Sequence, residues 1–511
     1  MTALTKATKV AVVGTGAMGA GIAQIAAAAG HEVLLFDARE GAAEKAIVGI
    51  AAQFSRLAEK GKFSAAEASA ASGRLKAARD LQGLFDAGLI VEAIVENLEA
   101  KQGLFRSLEA IVAPTALFAT NTSAISVTAI GAALTQPERL AGLHFFNPAP
   151  LMALVEVVSG LATTPSVAET LYDTAKAWGK SPVHTKSTPG FIVNRVARPF
   201  YAEAQRVLQE GGADVATIDA CCKEGGGFRM GPFELMDLIG HDVNLAVTKT
   251  VWAAYFHDPR FLPSLLQQEM VAAGFLGRKS GRGFYDYRPD ATNPPPNTAS
   301  DARATLDAAG PVTVFGQSIA AQALRERLTA AGRPCLSAEA TDDRIAQVGE
   351  AVVYVTDGRT ATHRAFASGL ANTFVIDLVL DYRTASRLAM AGAEGANEAA
   401  RSQAVGLLQA AGFAVSVFRD VPGLIVMRTV AMLANEAADA VNQGVCTVAA
   451  ADTGMRLGVN YPLGPLAWAD AIGLPRVRDV LAHLGQAYGE DRYRISPLIH
   501  QRVFAKKALY D

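Results

Sequence analysis

Cysteine is scarce: four in 511 residues, adjacent at Cys221 and Cys222 and isolated at Cys335 and Cys446. No CxxC or CxxH spacing occurs, so neither a disulfide framework nor a metal site is expected, and a reducing cytoplasm is the simplest compartment. An excess of charge is missing too, with 47 Lys and Arg against 49 Asp and Glu. That balance argues against a nucleic-acid partner, while leaving room for a local basic patch on one anionic ligand. No uninterrupted apolar run reaches the ~18 residues of a membrane helix, so no transmembrane span is expected, nor is a signal peptide. Apolar side chains are what the sequence has in quantity, half of the total against 19% charged, which excludes disorder as a whole. At ~150 residues per domain, the length gives about three domains.

The first segment alternates strand and helix patterns. Apolar runs at Lys9–Val13, Glu32–Phe36, Leu89–Val95, Leu117–Ala119 and Gly142–Phe146 are separated by helical stretches such as Lys101–Val112. This order predicts a parallel sheet with helices on both faces. Past Pro182 the pattern shifts to longer helices, with one predicted over Pro189–Gln209, and helical texture continues to Tyr287. A Pro-rich polar stretch between Arg288 and Asp301 then reads as a linker.

Beyond the linker the helical region recurs. Pro189-GFIVN-Arg195 aligns with Pro422-GLIVM-Arg428, an offset of 422 − 189 = 233. The same offset carries Glu203 to Glu436, Asp219 to Asp452, Gly231-Pro232 to Gly464-Pro465, Asp237 to Asp470 and Gly240 to Gly473. So many matches at one offset indicate an ungapped internal duplication. Upstream of it, Val312-TVF-Gly316 resembles Val10-AVV-Gly14, but Ser318 and Ala321 stand where Gly16 and Gly19 stand earlier. It reads as a degenerate α/β domain, with an unrelated α/β segment as the alternative.

Three constellations carry chemistry. Gly14-Thr15-Gly16-Ala17-Met18-Gly19 follows a strand and opens a helix, the context in which GxGxxG cradles a dinucleotide diphosphate on the helix N-terminus. Asp37, at the end of the second strand, can accept both ribose hydroxyls and repels a 2′-phosphate, so NAD is expected rather than NADP. His144, in Gly142-LHFFN-Pro148, ends a strand at the ligand-binding edge of such a sheet, and Glu156 lies in the apolar run Leu154–Val158. A histidine beside a buried carboxylate is a ready general base, although the pair also fits a satisfied core hydrogen bond. Asn121-Thr-Ser-Ala124 sits at another strand end, where a helix N-cap is the simpler reading. Asn194 alone is uninformative, and Arg56, Lys60 and Lys62 suit either an anionic substrate handle or a solvated basic helix face.

With GTGAMG, EAIVEN, NTS, HFFNP, LVEVV and PGFIVNR in that order, residues 8–287 resemble the L-3-hydroxyacyl-CoA dehydrogenase family. The whole is similar to its long bacterial members of the 3-hydroxybutyryl-CoA and 3-hydroxyadipyl-CoA dehydrogenase type, the latter serving phenylacetate catabolism. The resemblance implies a Rossmann-type NAD-binding α/β domain (1–186) and an all-α dehydrogenase C-terminal domain (187–288). A linker (289–310), a reduced Rossmann-like domain (311–418) and a second, non-catalytic helical domain (419–511) follow. It implies oxidation of an (S)-3-hydroxyacyl-CoA by NAD, with His144 as acid/base oriented by Glu156, and Ser123 and Asn194 positioning the reacting oxygens. The cofactor contacts it implies are Gly14, Gly16, Ala17, Met18, Gly19, Asp37, Glu96, Lys101, Ser123, Asn147 and Lys279. Lys60 and Gln53 match coenzyme A contacts, Gln53 without the usual serine, and no metal is implied. The second helical domain is expected to pack on the first within the chain, and homo-oligomers remain open. A dehydrogenase of a non-CoA hydroxy acid such as L-gulonate, and a non-catalytic dinucleotide-binding structural protein, are the competing readings.

Overall fold

The computed structural model describes residues 3–340 and 342–511. Two compact units emerge: one runs to Arg195 and adds Gln443–Val459, the other joins Val196–Asn442 to Asn460–Asp511. Each therefore draws on both halves of the sequence.

The first unit is built on eight strands: β1 (Val10–Val13), β2 (Val33–Phe36), β3 (Leu75–Ala77), β4 (Leu89–Glu92), β5 (Leu117–Thr120), β6 (Leu140–Phe145), β7 (Leu154–Ser159) and β8 (Ser181–Lys186). Their spatial order is β3-β2-β1-β4-β5-β6-β7-β8. Neighbours are parallel except β6 and β7, which run antiparallel with His144 opposite Glu156. The expected parallel sheet is thus mixed. Only residues 146–153 separate β6 from β7, and a parallel crossover needs about a dozen or more. Both faces of the sheet are covered. Val10, Val12, Leu89 and Val91 join a core with Ile22 and Ala23 of the helix Ala17–Ala29. Ala11, Val13, Ile90 and Phe118 join another with Phe105 and Leu108 of Leu98–Glu109. Burial on both sides is why these strands read as continuous apolar runs.

The second unit carries β9 (Thr313–Phe315), β10 (Leu336–Ala338), β11 (Arg344–Val348), β12 (Ala351–Val355), β13 (Thr373–Ile376), β14 (Arg387–Gly392) and β15 (Ala414–Val417). Their order is β10-β9-β11-β12-β13-β14-β15. Here β11 is antiparallel to both β9 and β12. A hairpin through Gly349-Glu350 replaces one strand–helix–strand unit, and residues 339–343 join β10 to β11 where the first unit has the helices Ala42–Glu59 and Ala65–Gly73 and strand β3; both losses shorten this copy.

Both repeats enter their helices through the same strained turn: Gly190 and Gly423 have φ of 76° and 73°, and Phe191 and Leu424 have φ of 48° and 52°. The helix predicted over Pro189–Gln209 begins only at Val193 and is split into Val193–Val196 and Arg198–Gln209. Its counterpart, Val426–Asn442, is unbroken. Pro199 explains the split, because it lacks an N–H and its ring crowds the carbonyl four residues back; Met432 occupies the matching place.

Within the second unit, Arg198–Gln209 and Val426–Asn442 pack together. Glu203, fully buried, accepts from Arg428 and Arg492 (both Nε at 3.0 Å) and from the Tyr493 hydroxyl. Burial opposes its ionisation, but Arg492 and Arg428 outweigh that and hold the carboxyl below its ordinary value. Each repeat also lends a helix to the other sheet. Val448–Gly458 packs on β7 and β8, with the Lys186 amide donating to Val445 O at 2.9 Å. At the same offset, the helical turns through Cys221–Gly225 pack on β14, and the Arg419 amide donates to Gly212 O at 2.9 Å. Among the described residues, no helix is long and apolar enough to cross a membrane, and no acidic, histidine or cysteine cluster could hold a metal.

Candidate active site

The glycine loop is shaped by contacts only glycine allows. Gly14 has φ of 93°. A Cβ on Gly19 would lie 1.8 Å from Gly14 O, so the helix Ala17–Ala29 starts against the end of β1. Beside Gly16, in contrast, there is open space. No side chain caps this helix and no acid occupies its first turn, which leaves the amides of Ala17, Met18 and Gly19 to an anion. Asp37 Oδ2 accepts from the Thr15 amide and hydroxyl, both at 2.8 Å, and Oδ1 from Arg39. Arg39 and then the Thr15 amide hold its carboxyl far below the ordinary range despite partial burial. An uncapped helix start, a turn with no room for a Cβ and a charged carboxylate at the end of β2 fit a dinucleotide.

A cavity of about 1190 Å³ extends from Thr15, Gly16 and Ala17 along the helix Ala42–Glu59. Gln53 lines it with Lys45 and Lys62. The basic cluster expected on one helix is divided: Arg56 lies in the helix, Lys60 ends it and is exposed outside the cavity wall, and Lys62 lies beyond it. Lys45 escaped the sequence reading; its place eight residues before Gln53 on the same helix was the available signal. Lys180, on the far wall, is committed to the carbonyls of Ala149 and Met152.

A relay of two carboxylates, Glu92 buried and Glu96 partly exposed, supports the strand ends. Glu92, at the end of β4, accepts from Lys101 Nζ and Thr120 Oγ1, both at 2.6 Å, and from the Ile94 amide. Lys101 also reaches Glu96 at 3.2 Å. Glu96 accepts from Thr122 Oγ1 at 2.6 Å and from the amides of Ser123 and Ala124. Burial works against its ionisation, yet Thr122 and Lys101 outweigh it and lower its pKa. Asn121 Oδ1 accepts from the Phe145 amide, pinning this loop to the end of β6. Ser126, rather than Asn121, caps the following helix, so the simpler reading of Asn121-Thr-Ser-Ala124 does not hold. Glu92 stands inside the EAIVEN motif, but nothing in its spacing marks it as the ion-pair partner of Lys101.

The relay ends at His144. Its Nδ1 lies 2.6 Å from Glu156 Oε2, and its Nε2 3.0 Å from Ser123 Oγ. An ionised carboxylate only accepts, so Nδ1 carries the proton and Nε2 presents its lone pair beside the Ser123 hydroxyl. Glu156 is fully buried, and its Oε1 accepts from the amides of Ile192 (2.9 Å) and Val193 (3.0 Å). The rings of Phe146 and Phe191 lie against the imidazole. Asn194, half-buried, is the next residue after Val193. Asn147 follows β6 and is exposed. Lys279 belongs to the second unit and is paired there with Asp242.

The duplicated positions differ throughout. At the 233-residue offset, Asp377 stands for His144, Ala389 for Glu156 and Met427 for Asn194. Asp377 is buried at the end of β13, and its oxygens accept from the amides of Ile425, Val426 and Met427. The carboxylate that anchors the helix entry is kept, moved one strand over, and the imidazole is gone.

The chain matches the NAD binding domain of 3-hydroxyacyl-CoA dehydrogenase over residues 9–188 and the C-terminal domain of that enzyme over 190–287 and again over 423–509. Residues 353–422 match the reduced Rossmann-fold domain of 3-hydroxybutyryl-CoA dehydrogenase. The chain is 44% identical to 3-hydroxyadipyl-CoA dehydrogenase of Escherichia coli over 97% of each chain. It is 42% identical to mitochondrial hydroxyacyl-coenzyme A dehydrogenase of Sus scrofa over 55% of this chain and 91% of that one. The crystal structure of 3-hydroxybutyryl-CoA dehydrogenase from Escherichia coli superposes with a TM-score of 0.87 at 42% identity, covering 98% of this chain and 99% of that one. The chain belongs to the 3-hydroxyacyl-CoA dehydrogenase family, and with it to the NAD-dependent oxidoreductases that act on a CH–OH group.

Proposed function

We propose that the protein interconverts (S)-3-hydroxyacyl-CoA and 3-oxoacyl-CoA, with a butyryl or adipyl chain as the acyl group. The observation that carries this reading is the Ser123–His144–Glu156 chain, buried at His144 and Glu156, with Nε2 of the imidazole left as an acceptor. NAD, when bound, supplies the hydride acceptor. Gly14, Gly16, Gly19 and the amides of Ala17 and Met18 would hold its diphosphate, Asp37 its ribose, and Glu96, Lys101, Ser123 and Asn147 the remainder. His144 Nε2 takes the substrate hydroxyl proton, and Glu156 stabilises the imidazolium that results. In reduction, the same nitrogen returns the proton to the forming alkoxide. Ser123 and Asn194 hydrogen-bond the substrate oxygens, where donors act on developing charge. Lys60, Lys62 and Lys45 answer the phosphates of coenzyme A beside Gln53. The second half carries no turnover, since Asp377 and Ala389 replace the His–Glu pair, and its helices serve as an in-chain packing partner. Four free cysteines suit a cytoplasmic setting.

The test is parallel assay of acetoacetyl-CoA, 3-oxoadipyl-CoA and L-gulonate on parent and His144→Gln protein. Turnover of the thioesters alone, lost in the variant with NADH binding intact, is expected. Turnover of L-gulonate alone, or an active variant, overturns the reading.

A further inference from the structure

The catalytic carboxylate is held from behind by a segment of the repeat that has lost its own chemistry. Glu156 Oε1 is fixed by the amides of Ile192 and Val193, on the turn that follows Gly190. That turn leans on the helix Val448–Gly458. A Cβ added at Gly454 would come within 3.1 Å of Ile192 Cγ2, and one at Gly458 within 2.8 Å of Leu154 Cδ2 and 3.0 Å of Val193 Cγ2. Leu154 lies two residues before Glu156 on β7, so the two glycines touch both elements that fix this carboxylate. The approach extends beyond them. Arg195, buried one residue past Asn194, donates to Gln443 Oε1 at 3.0 Å, and the Lys186 amide at the end of β8 donates to Val445 O. Burial, with the Glu156 and Arg195 charges acting in opposite senses, pushes the intervening Cys446 thiol up to about 12.

We infer that Gln443–Val459 is a positioning element of the active site, with Gly454 and Gly458 setting where Glu156 stands relative to His144. It contributes no group to the reacting atoms. It acts through Ile192, Val193 and Leu154, which rests on the reading of His144 as the acid/base. A displacement of a few tenths of an ångström along a 2.6 Å contact is enough to weaken a site whose groups must sit within ~0.5 Å of their places.

Gly458→Ala is the direct test, with Gly454→Ala as the milder variant should the first fail to fold. Three readouts separate positioning from simple support. In the full-length protein without ligands, the low-field proton resonance of His144 Nδ1 should shift or broaden. The kcat for 3-oxoacyl-CoA reduction should fall about tenfold with KM for NADH unchanged, by analogy with small misplacements elsewhere. The deuterium isotope effect on the hydride step should rise. Adding Val193→Ala, which removes both opposing methyls of that side chain, should restore part of each. A lower melting temperature with resonance, kcat and isotope effect all at parent values overturns the inference and leaves the helix as scaffold. Turnover by His144→Gln would instead overturn the underlying catalytic reading, and the two failures are therefore distinguishable.

Discussion

Replacing Glu156 by glutamine isolates charge from shape. The isostere must choose an orientation. Its oxygen can stay on the amides of Ile192 and Val193, or its NH2 can turn toward them and leave two buried donors unmet. Each unmet buried donor costs about 1–3 kcal/mol, so the oxygen stays and the NH2 faces His144 Nδ1. A donor there forces the proton to Nε2, the tautomer that cannot accept from a substrate hydroxyl. The imidazolium also loses its counter-charge. At ~4 Å and an effective dielectric constant of about 20, that attraction is about 4 kcal/mol, or close to three decades in rate. Glu156→Gln should therefore lower kcat about a thousandfold. The NADH dissociation constant, read from cofactor fluorescence, should hardly move, because Glu156 is fully buried behind the imidazole. A correctly folded variant within tenfold of the parent kcat would refute the assignment of charge stabilisation to this residue.

Two further outcomes concern the cofactor side. Lys101→Met leaves the fully buried Glu92 carboxyl without its cation, and unfolding in urea should show a loss of about 3–5 kcal/mol; a loss under ~1 kcal/mol would mean the pair is dispensable. Gly19→Ala forces the helix start away from Gly14 O, an overpacking of about 1–3 kcal/mol. Calorimetry should find NADH bound about ten- to a hundredfold more weakly with circular dichroism unchanged, and parent affinity would contradict the close-packing role.

Local chemistry was the most readable part of the sequence. The glycine loop could be recognised because its requirements, a turn, an open approach and a close contact, fall within six consecutive residues. His144 and Glu156 stand out because an ionisable side chain inside an apolar run needs a partner. The duplication was plain for a different reason: no insertion disturbs its register from Pro189 onward. What stayed hidden depends on distant pairing. That Gly454 backs Ile192 is set between residues 262 apart in the chain, whereas the reversals of β7 on β6 and of β12 on β11 come from connections too short for a crossover, a length the apolar runs alone do not mark. The broken helix was readable in principle from Pro199, yet the apolar periodicity continues across it. Lys60, carried over from the family, ends a helix outside the cavity wall, whereas Lys45 and Lys62 line it.

The interleaving of the two units has a consequence for synthesis. The sheet that carries His144 is complete once β8 has emerged, but its unit needs residues up to Val459. At about 5–20 residues per second, roughly 13–50 s of translation separate Arg195 from that last contribution. During this interval the nascent sheet exposes the apolar side of β7 that will receive the helix Val448–Gly458, which makes it a natural client for chaperones. Truncated transcripts or stalled ribosomes would then release a chain whose catalytic residues are all present and whose binding fold is unfinished.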